Sequence, residues 1–94
     1  HTPRETVVAC AEAARAAEAD LFVSIGGGTV IDMVKAVQIC LAEEVRTVDG
    51  LDAWRTRVNP DGTYFTPRTR PSPVRQIIVP TTLSGAEFST IAGV

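Results

Sequence analysis

The sequence predicts an α/β fold with parallel strands, on the basis of three features of its 94 residues. Two short apolar runs, at residues 21–25 and 76–80, are typical of buried strands. Segments with the apolar spacing of helices lie on both sides of the first run. Hydrophobic residues make up 45% of the chain and aromatic residues only 5%. This composition is typical of the Val-, Ile-, Leu- and Ala-rich cores of α/β proteins.

A first helix is expected at the start of the chain and is expected to end near Ala19. Thr2 is the expected N-cap, Pro3 occupies the first helical position, and Glu5 completes a capping box. Asp20 then ends the helix before the first strand. The many alanines of this helix should let it lie close to its neighbours.

A glycine turn follows the first strand and is the most informative feature of the sequence. Gly26, Gly27 and Gly28 separate the strand from a second helix, expected from about Thr29 to Glu43. Glycine lacks the Cβ that would block close approach, and it tolerates the positive φ that such turns often need. The free N–H groups and the dipole of the new helix favour an anion. A phosphate or pyrophosphate is therefore the expected ligand.

The glycine turn leaves several alternatives open, because tight packing of a helix on a strand also favours glycine. The turn matches neither the G-x-G-x-x-G fingerprint nor the G-x-x-x-x-G-K-[ST] phosphate loop. Thr29 can be an N-cap paired with Asp32, can contact a phosphate, or can do both. Asp32 and Lys35 can form an ion pair within the helix. Alternatively, Lys35 neutralises a cofactor phosphate while Asp32 fixes the loop.

A hydroxyl-rich loop follows the second strand, which Pro80 ends. It consists of Thr81, Thr82, Leu83 and Ser84. If the two strands are parallel, their carboxyl ends share one edge of the sheet, where ligands bind in open α/β folds. The sequence therefore predicts that this loop and the glycine turn face one ligand. Taken alone, the threonines are also compatible with ordinary strand ends.

Residues 45–75 differ in character and are expected to form an irregular surface excursion. Arginines and prolines are frequent in this segment, and a turn is expected at residues 59–62, followed by a short strand. A short helix is expected near residues 49–55. A solvated surface and a contact with an anion or a partner are both compatible with the arginines.

Charge and composition narrow the possible functions. The net charge of −2 and the pI of about 5.2 argue against binding to nucleic acid or to a membrane surface. Neither a transmembrane run nor a signal-peptide pattern is visible. Cys10 and Cys40 are predicted to be buried thiols of a reduced compartment, with a disulfide as the alternative. No nucleophile–base pair or metal-ligand spacing is present, so neither catalytic residues nor metal ligands are expected in this chain.

The two loops together resemble those of the iron-containing (group III) alcohol dehydrogenase family. That family carries Gly-Gly-Gly-Ser/Thr-x-x-Asp-x-x-Lys after a strand, matched by residues 26–35. It also carries a Pro-Thr-Thr segment that leads to a Glu, matched by residues 80–87. The resemblance covers the chain except residues 45–75. The spacing after Pro-Thr-Thr and the segment His1-Thr2-Pro3 look closer to the maleylacetate reductase branch, whereas the first loop looks closer to the dehydrogenases generally.

The resemblance implies an NAD(P)-dependent oxidoreductase acting on an alcohol, a carbonyl or a maleylacetate-type substrate. Gly27, Gly28 and Thr29 would hold the pyrophosphate of NAD or NADP. Thr81, Thr82 and Ser84 would line the nicotinamide side. A divalent metal, iron or zinc, would have its ligands in a helical C-terminal domain outside this chain. The resemblance also implies a homo-oligomer, a dimer, in the cytoplasm, with no nucleic-acid or membrane partner.

The chain is therefore interpreted as a partial, Rossmann-like nucleotide-binding domain, residues 1–94, of a larger two-domain protein. One alternative is a dehydroquinate synthase-like NAD-dependent lyase, against which Lys35 argues because that family would have a glycine there. Another is a non-catalytic nucleotide-binding module. The candidate cofactor-binding residues are Gly26, Gly27, Gly28, Thr29, Asp32, Thr81, Thr82, Leu83 and Ser84.

Overall fold

The computed structural model describes residues 3–54, 57–65, 67 and 70–88. Its elements confirm the predicted α/β class. In chain order they are α1 (Arg4–Ala16), β1 (Leu21–Gly26), α2 (Gly28–Ala42), α3 (Val48–Asp52), β2 (Arg57–Val58), β3 (Tyr64–Phe65), β4 (Arg75–Pro80) and a 3₁₀ turn (Ala86–Phe88).

The principal sheet of the described part pairs β1 with β4, and the pairing is parallel as predicted. Leu21 lies opposite Arg75 at one end, and Gly26 lies opposite Pro80 at the other. Helix α2 packs against both strands on one face of this sheet, and α1 packs against α2. Both strands therefore end at the same edge.

The hydrophobic core lies mainly between the helices. Helix α1 contributes Val7 and Ala11, α2 contributes Val37 and Cys40, and α3 contributes Leu51. Because Ala11 is small and fully buried, the two long helices can pack closely there. An ion pair between Arg4 and Asp52 further joins α1 to α3.

The prediction of buried strands is correct for only one face of the sheet. Ser24 is 3% exposed on the face that α2 covers, whereas Ile25 on the opposite face is 66% exposed. Successive side chains of a strand point to opposite faces, so the alternation follows directly from the strand geometry. The apolar composition of the strands had suggested that both faces are covered, but the described residues cover one. The exposed apolar side chains of the other face are Leu21, Val23, Ile25, Ile77 and Val79.

Helix α1 is shorter than predicted at both ends. It begins at Arg4, and Pro3 precedes it, accepting hydrogen bonds from the backbone N–H groups of Thr6 and Val7 through its carbonyl. The predicted cap at Thr2 lies outside the described residues. The helix ends at Ala16 rather than near Ala19, because Glu18 adopts a left-handed φ of 53°. A bond from the Ala19 N–H to the Ala14 carbonyl (3.0 Å) closes the turn, as in a Schellman motif.

Helix α2 ends in the same way, at Ala42. Glu44 has a φ of 55°, and the Val45 N–H donates to the carbonyl of Cys40 (2.9 Å). The guanidinium of Arg15 donates to the same Cys40 carbonyl (2.7 Å) and to the carbonyl of Val45 (2.8 Å). A cation is favourable at a helix C-terminus, so Arg15 joins α1 to the end of α2.

Residues 45–75 are not an irregular surface excursion throughout. Thr47 caps α3 by accepting a hydrogen bond from the Gly50 N–H (3.0 Å), and Leu51 is buried in the core. Val45 and Val74, near the two ends of the segment, are buried as well. The expectation that this segment buries little is therefore wrong at these positions, because single apolar residues between charges still reach the core.

A β-hairpin forms the exposed part of this segment. Strands β2 and β3 are antiparallel, and the predicted turn at residues 59–62 joins them. The Asn59 N–H donates to the Thr63 carbonyl (2.7 Å), and Gly62 has a φ of 88°, which glycine adopts at little cost. Val58 and Tyr64 are exposed. The sequence pattern therefore identified the turn correctly.

Arg70, which follows the hairpin in the chain, contacts Glu43 at the end of α2. Its backbone N–H donates to Glu43 Oε1 (2.6 Å), and its guanidinium donates to both carboxylate oxygens (3.4 and 3.2 Å). The backbone N–H of Arg70, followed by its side chain, lowers the pKa of the Glu43 carboxyl. In this pair the arginine contacts a carboxylate of the protein itself.

Candidate functional site

The glycine turn and the hydroxyl-rich loop meet at one edge of the sheet, as predicted. Because β1 and β4 are parallel and in register to their last residues, Gly26 and Pro80 end side by side. The pairing continues one step further, since the Thr81 N–H donates to the carbonyl of Gly26 (2.9 Å). A backbone hydrogen bond thus joins the first residue of each loop.

The two loops pack so closely that a side chain on Gly27 or Gly28 would crowd the second loop. A Cβ on Gly27 would lie 2.9 Å from Thr82 Cγ2, and one on Gly28 would lie 3.1 Å from Ser84 Oγ. Within the described residues, the glycines with positive φ lie elsewhere, at positions 62 and 85. Positive φ is therefore not the reason for the glycines of this turn. Close approach of the second loop is the physical reason for these glycines.

Gly26 is explained by the helix that follows it. A Cβ there would lie 2.8 Å from Cγ2 of Val30, four residues further along the chain. Tight packing of helix on strand, which the sequence left open as an alternative, thus accounts for part of the glycine signal.

The helix that starts at the turn has Gly27 as its N-cap, with no capping hydrogen bond from a side chain. The Ile31 N–H donates to the Gly27 carbonyl (3.1 Å). Thr29 is therefore the second residue of α2, and the alternative that made it the N-cap, paired with Asp32, is wrong. Glycine is itself an acceptable N-cap residue, which is why the start lies two positions earlier. Thr29 is exposed beside the glycine turn.

The second loop presents its side chains to solvent. Thr81, Thr82, Leu83 and Ser84 are all exposed, and Leu83 has the largest exposure among the apolar residues that the structure describes. The hydroxyl of Thr82 lies 3.3 Å from that of Ser84, within hydrogen-bonding distance. The loop therefore offers hydroxyls and one apolar side chain directly beside the glycine turn.

Asp32 and Lys35, on the helix that starts at the glycine turn, form the expected ion pair. Lys35 Nζ is 3.2 Å from Asp32 Oδ1, and the two side chains are 12% and 20% exposed. Lys35 Nζ also donates to the carbonyl of Ala86 (2.5 Å), in the 3₁₀ turn that follows the second loop. Sequence reasoning missed this contact, because no local pattern marks a backbone carbonyl 51 residues away.

A groove of about 590 Å³ lies beside this site, between α2, β4 and the 3₁₀ turn. Lys35 and Gln38 line it from α2, and Glu87 lines it from the 3₁₀ turn. The buried Oε2 atom of Glu87 has no hydrogen-bond partner among the described residues. The side chain of Gln38 donates to the Val74 carbonyl (2.9 Å), so part of the groove wall is fixed by the protein's own contacts.

The described residues contain no group of three or more His, Cys, Asp or Glu side chains placed to hold a metal ion. Cys10 and Cys40 are both free thiols, and burial raises the pKa of Cys40. No helix in the described ranges is long and apolar enough to cross a membrane.

The fold and the paired loops place the chain in the class of Rossmann-like α/β proteins. The sequence model of the family described as iron-containing alcohol dehydrogenase matches residues 1–94. The chain therefore belongs to the iron-containing alcohol dehydrogenase family.

Three curated relatives illustrate this membership. The chain is 38% identical over 94 residues to dehydrogenase FUM7 of Gibberella moniliformis, a match that covers 99% of the chain and 22% of the relative. It is 33% identical over 93 residues to dehydrogenase ALT3 of Alternaria alternata, covering 99% and 23%. It is 46% identical over 39 residues to maleylacetate reductase 2 of Cupriavidus pinatubonensis, covering 42% and 11%.

The chain thus spans less than a quarter of the length of the relatives that it matches. No solved structure matches it significantly. The predicted resemblance to the family is confirmed. The individual roles assigned to Gly27, Gly28 and Thr29 on one loop, and to the hydroxyls on the other, stay predictions.

Proposed function

We propose that this chain forms the dinucleotide-binding part of an NAD(P)-dependent oxidoreductase that transfers hydride to or from an alcohol, a carbonyl or a maleylacetate-type substrate. One observation carries the proposal: the glycine turn and the hydroxyl-rich loop are joined at one sheet edge by the Thr81–Gly26 hydrogen bond. Membership of the iron-containing alcohol dehydrogenase family and the dehydrogenase and reductase names of the relatives support the oxidoreductase class.

The residues present fit a dinucleotide. The start of α2 at Gly28 offers N–H groups that have no acceptor within the helix, together with the positive end of the helix dipole. A pyrophosphate at this point would approach the backbone of the glycine turn, which carries no side chains of its own. The exposed hydroxyls of Thr81, Thr82 and Ser84 would hydrogen-bond the part of the ligand that lies across the second loop.

The bound nicotinamide would supply the hydride chemistry, and the protein would supply position and electrostatics. Within this chain, Thr29 would donate its hydroxyl to a phosphate oxygen at the start of α2. The exposed side chain of Leu83 would cover an apolar face of the ligand and exclude water from it. Neither role requires a proton to be transferred.

The remaining features of the full-length protein are part of the same proposal. An iron or zinc ion, if the protein uses one, would be bound by residues outside this chain. The protein would act as a cytoplasmic homodimer on a small-molecule substrate. Between the two branches, the partial match to a maleylacetate reductase favours that substrate class for a first assay.

The test is cofactor titration of the full-length protein with Gly27→Val. The added side chain would meet Thr82 and occupy the space over the turn, so we expect the Kd for NAD(H) or NADP(H) to rise at least about tenfold. Gly50→Val is the matched control, because a Cβ there meets Thr47 Oγ1 at a comparable 3.1 Å but lies in α3, away from the loops.

Thermal melts and intrinsic fluorescence titrations of both variants complete the experiment. The proposal requires that Gly50→Val binds the cofactor like the wild type, whereas folded Gly27→Val does not. A wild-type protein that binds neither NAD(H) nor NADP(H) would overturn the proposal, and so would a folded Gly27→Val protein with unchanged affinity.

A further inference from the structure

We propose that Lys35 is a positioning residue, which ties the second loop to α2 and so sets the spacing between the two halves of the cofactor site. The expected effect of Lys35 on cofactor binding rests on the proposed function. The contact between Lys35 and Ala86, here called the tether, lies within the protein and can be tested without any cofactor.

The geometry of Lys35 carries the inference. Its ammonium group donates to the Ala86 carbonyl (2.5 Å) and lies 3.2 Å from Asp32 Oδ1. The side chain is only 12% exposed, so this charge is largely withdrawn from solvent. A charged donor on a neutral carbonyl makes a stronger hydrogen bond than a neutral donor does. Asp32 holds the ammonium from the same helix, one turn back.

Ala86 is well placed to transmit this restraint to the second loop. It begins the 3₁₀ turn, two residues after Ser84, and Gly85 between them has a φ of 76°. The Phe88 N–H donates to the Gly85 carbonyl (3.0 Å), which makes the turn a compact unit. Fixing the Ala86 carbonyl therefore fixes the far end of the loop, while the Thr81–Gly26 bond fixes its near end.

The contacts at the glycine turn show what this restraint achieves. A Cβ on Gly28 would lie 3.1 Å from Ser84 Oγ and 3.8 Å from Ala86 Cβ. The second loop thus sits directly against the first residue of α2. Because Lys35 is on the same helix, its bond to Ala86 holds the loop at a fixed distance from Gly28. Loss of the ammonium would free the loop to move away from the turn.

The competing role for Lys35 is direct neutralisation of a cofactor phosphate. The two roles predict different specificities. A positioning residue affects ligands that touch both loops, whereas a phosphate-binding residue affects any ligand that carries the pyrophosphate. ADP and the intact dinucleotide therefore separate the two roles.

The first experiment measures amide hydrogen exchange of the full-length protein in the absence of cofactor. Lys35→Met removes the charge and keeps a long apolar stem, and Lys35→Arg keeps a donor. Arg70→Met is the control, because it removes one positive charge from the wall of the same groove without touching the loops. We expect amide exchange of residues 81–88 to accelerate at least about tenfold in Lys35→Met and not in the other two variants. The loss of one charged hydrogen bond lowers the free energy of local opening, so the open state is more populated.

The second experiment measures the Kd of the same proteins for NAD(H), or NADP(H) if that is preferred, and for ADP. We expect Lys35→Met to weaken the dinucleotide about tenfold and ADP less than about twofold, with partial rescue by Lys35→Arg. The thermal midpoint should stay near that of the wild type, because the buried core is unchanged.

Each outcome decides a separate question. Unchanged exchange of residues 81–88 in Lys35→Met overturns the tether, whatever the cofactor results. Equal weakening of ADP and of the dinucleotide assigns Lys35 to phosphate binding and overturns the positioning role. If exchange accelerates in Lys35→Met but the wild-type protein binds no dinucleotide, the tether is supported and the proposed function is overturned.

Discussion

The helix side of the molecule and its loop edge are held together in different ways. The helix side, formed by α1, α2 and α3, buries side chains such as Val7 and Val37 completely. The loop edge, formed by residues 26–29 and 81–84, exposes its second loop and depends on one backbone bond, close glycine contacts and the bond from Lys35. Apolar burial is the main source of stability, whereas an exposed, locally fixed edge is suited to binding. Substitutions on the two sides should therefore change different measured quantities.

The largest effect on stability is expected from Leu51→Ala. Leu51 is 4% exposed and joins α3 to the core. Its truncation should cost about 3 kcal/mol of unfolding free energy in the full-length protein, because it removes buried methyl groups and leaves a cavity. The measurement is denaturant-induced unfolding followed by circular dichroism.

The exposed hairpin provides the control for Leu51→Ala. Val58 is 66% exposed, so Val58→Ala should change stability by less than about 0.5 kcal/mol. Leu51→Ala should leave the cofactor Kd within about twofold of the wild type, because α3 lies away from the loops. If Leu51→Ala weakened cofactor binding without lowering the free energy of unfolding, the helix side and the loop edge would not be separable in this way.

An intermediate effect is expected from Arg15→Met, at the end of α2. Its guanidinium donates to the carbonyls of Cys40 and Val45, and the side chain is 18% exposed. Removing a charged donor from two carbonyls at a helix end should cost about 2 kcal/mol, measured by the same denaturation. Arg46→Met is the control, since Arg46 pairs with Glu12 at the surface and should contribute less than about 1 kcal/mol. Equal effects of the two substitutions would remove the special role of Arg15.

The loop edge could be predicted from the sequence better than the ends of the helices. Gly26–Gly28 and Thr81–Ser84 each follow an apolar run, and the rule that parallel strands end at one edge was enough to bring them together. The ion pair of Asp32 and Lys35 follows from helical spacing alone. These features were predictable because local pattern and sheet geometry determine them.

Other features depend on contacts that no local pattern contains. The bond from Lys35 to Ala86 joins residues 51 apart in sequence, and that from Arg15 to Cys40 joins residues 25 apart. Glu18 takes a left-handed conformation that usually favours glycine, so no residue pattern indicated that α1 ends there. The exposed sheet face was not predicted, because a continuously apolar strand is typical of a sheet that is covered on both faces.

The smallest effect on stability is expected at the loop edge, from Leu83→Ser. The side chain of Leu83 is fully exposed, so its replacement should change the unfolding free energy by less than about 0.5 kcal/mol. If the cofactor covers this side chain, as proposed, the loss of apolar contact should raise the Kd for the dinucleotide about fivefold, corresponding to roughly 1 kcal/mol of burial. Val58→Ser, at an apolar position of the hairpin that is 66% exposed, should change neither quantity. Titration and denaturation of both variants give the comparison directly. A change in stability without a change in affinity would mean that Leu83 packs within the full-length protein, which would remove it from the proposed site while leaving Thr81, Thr82 and Ser84 in place.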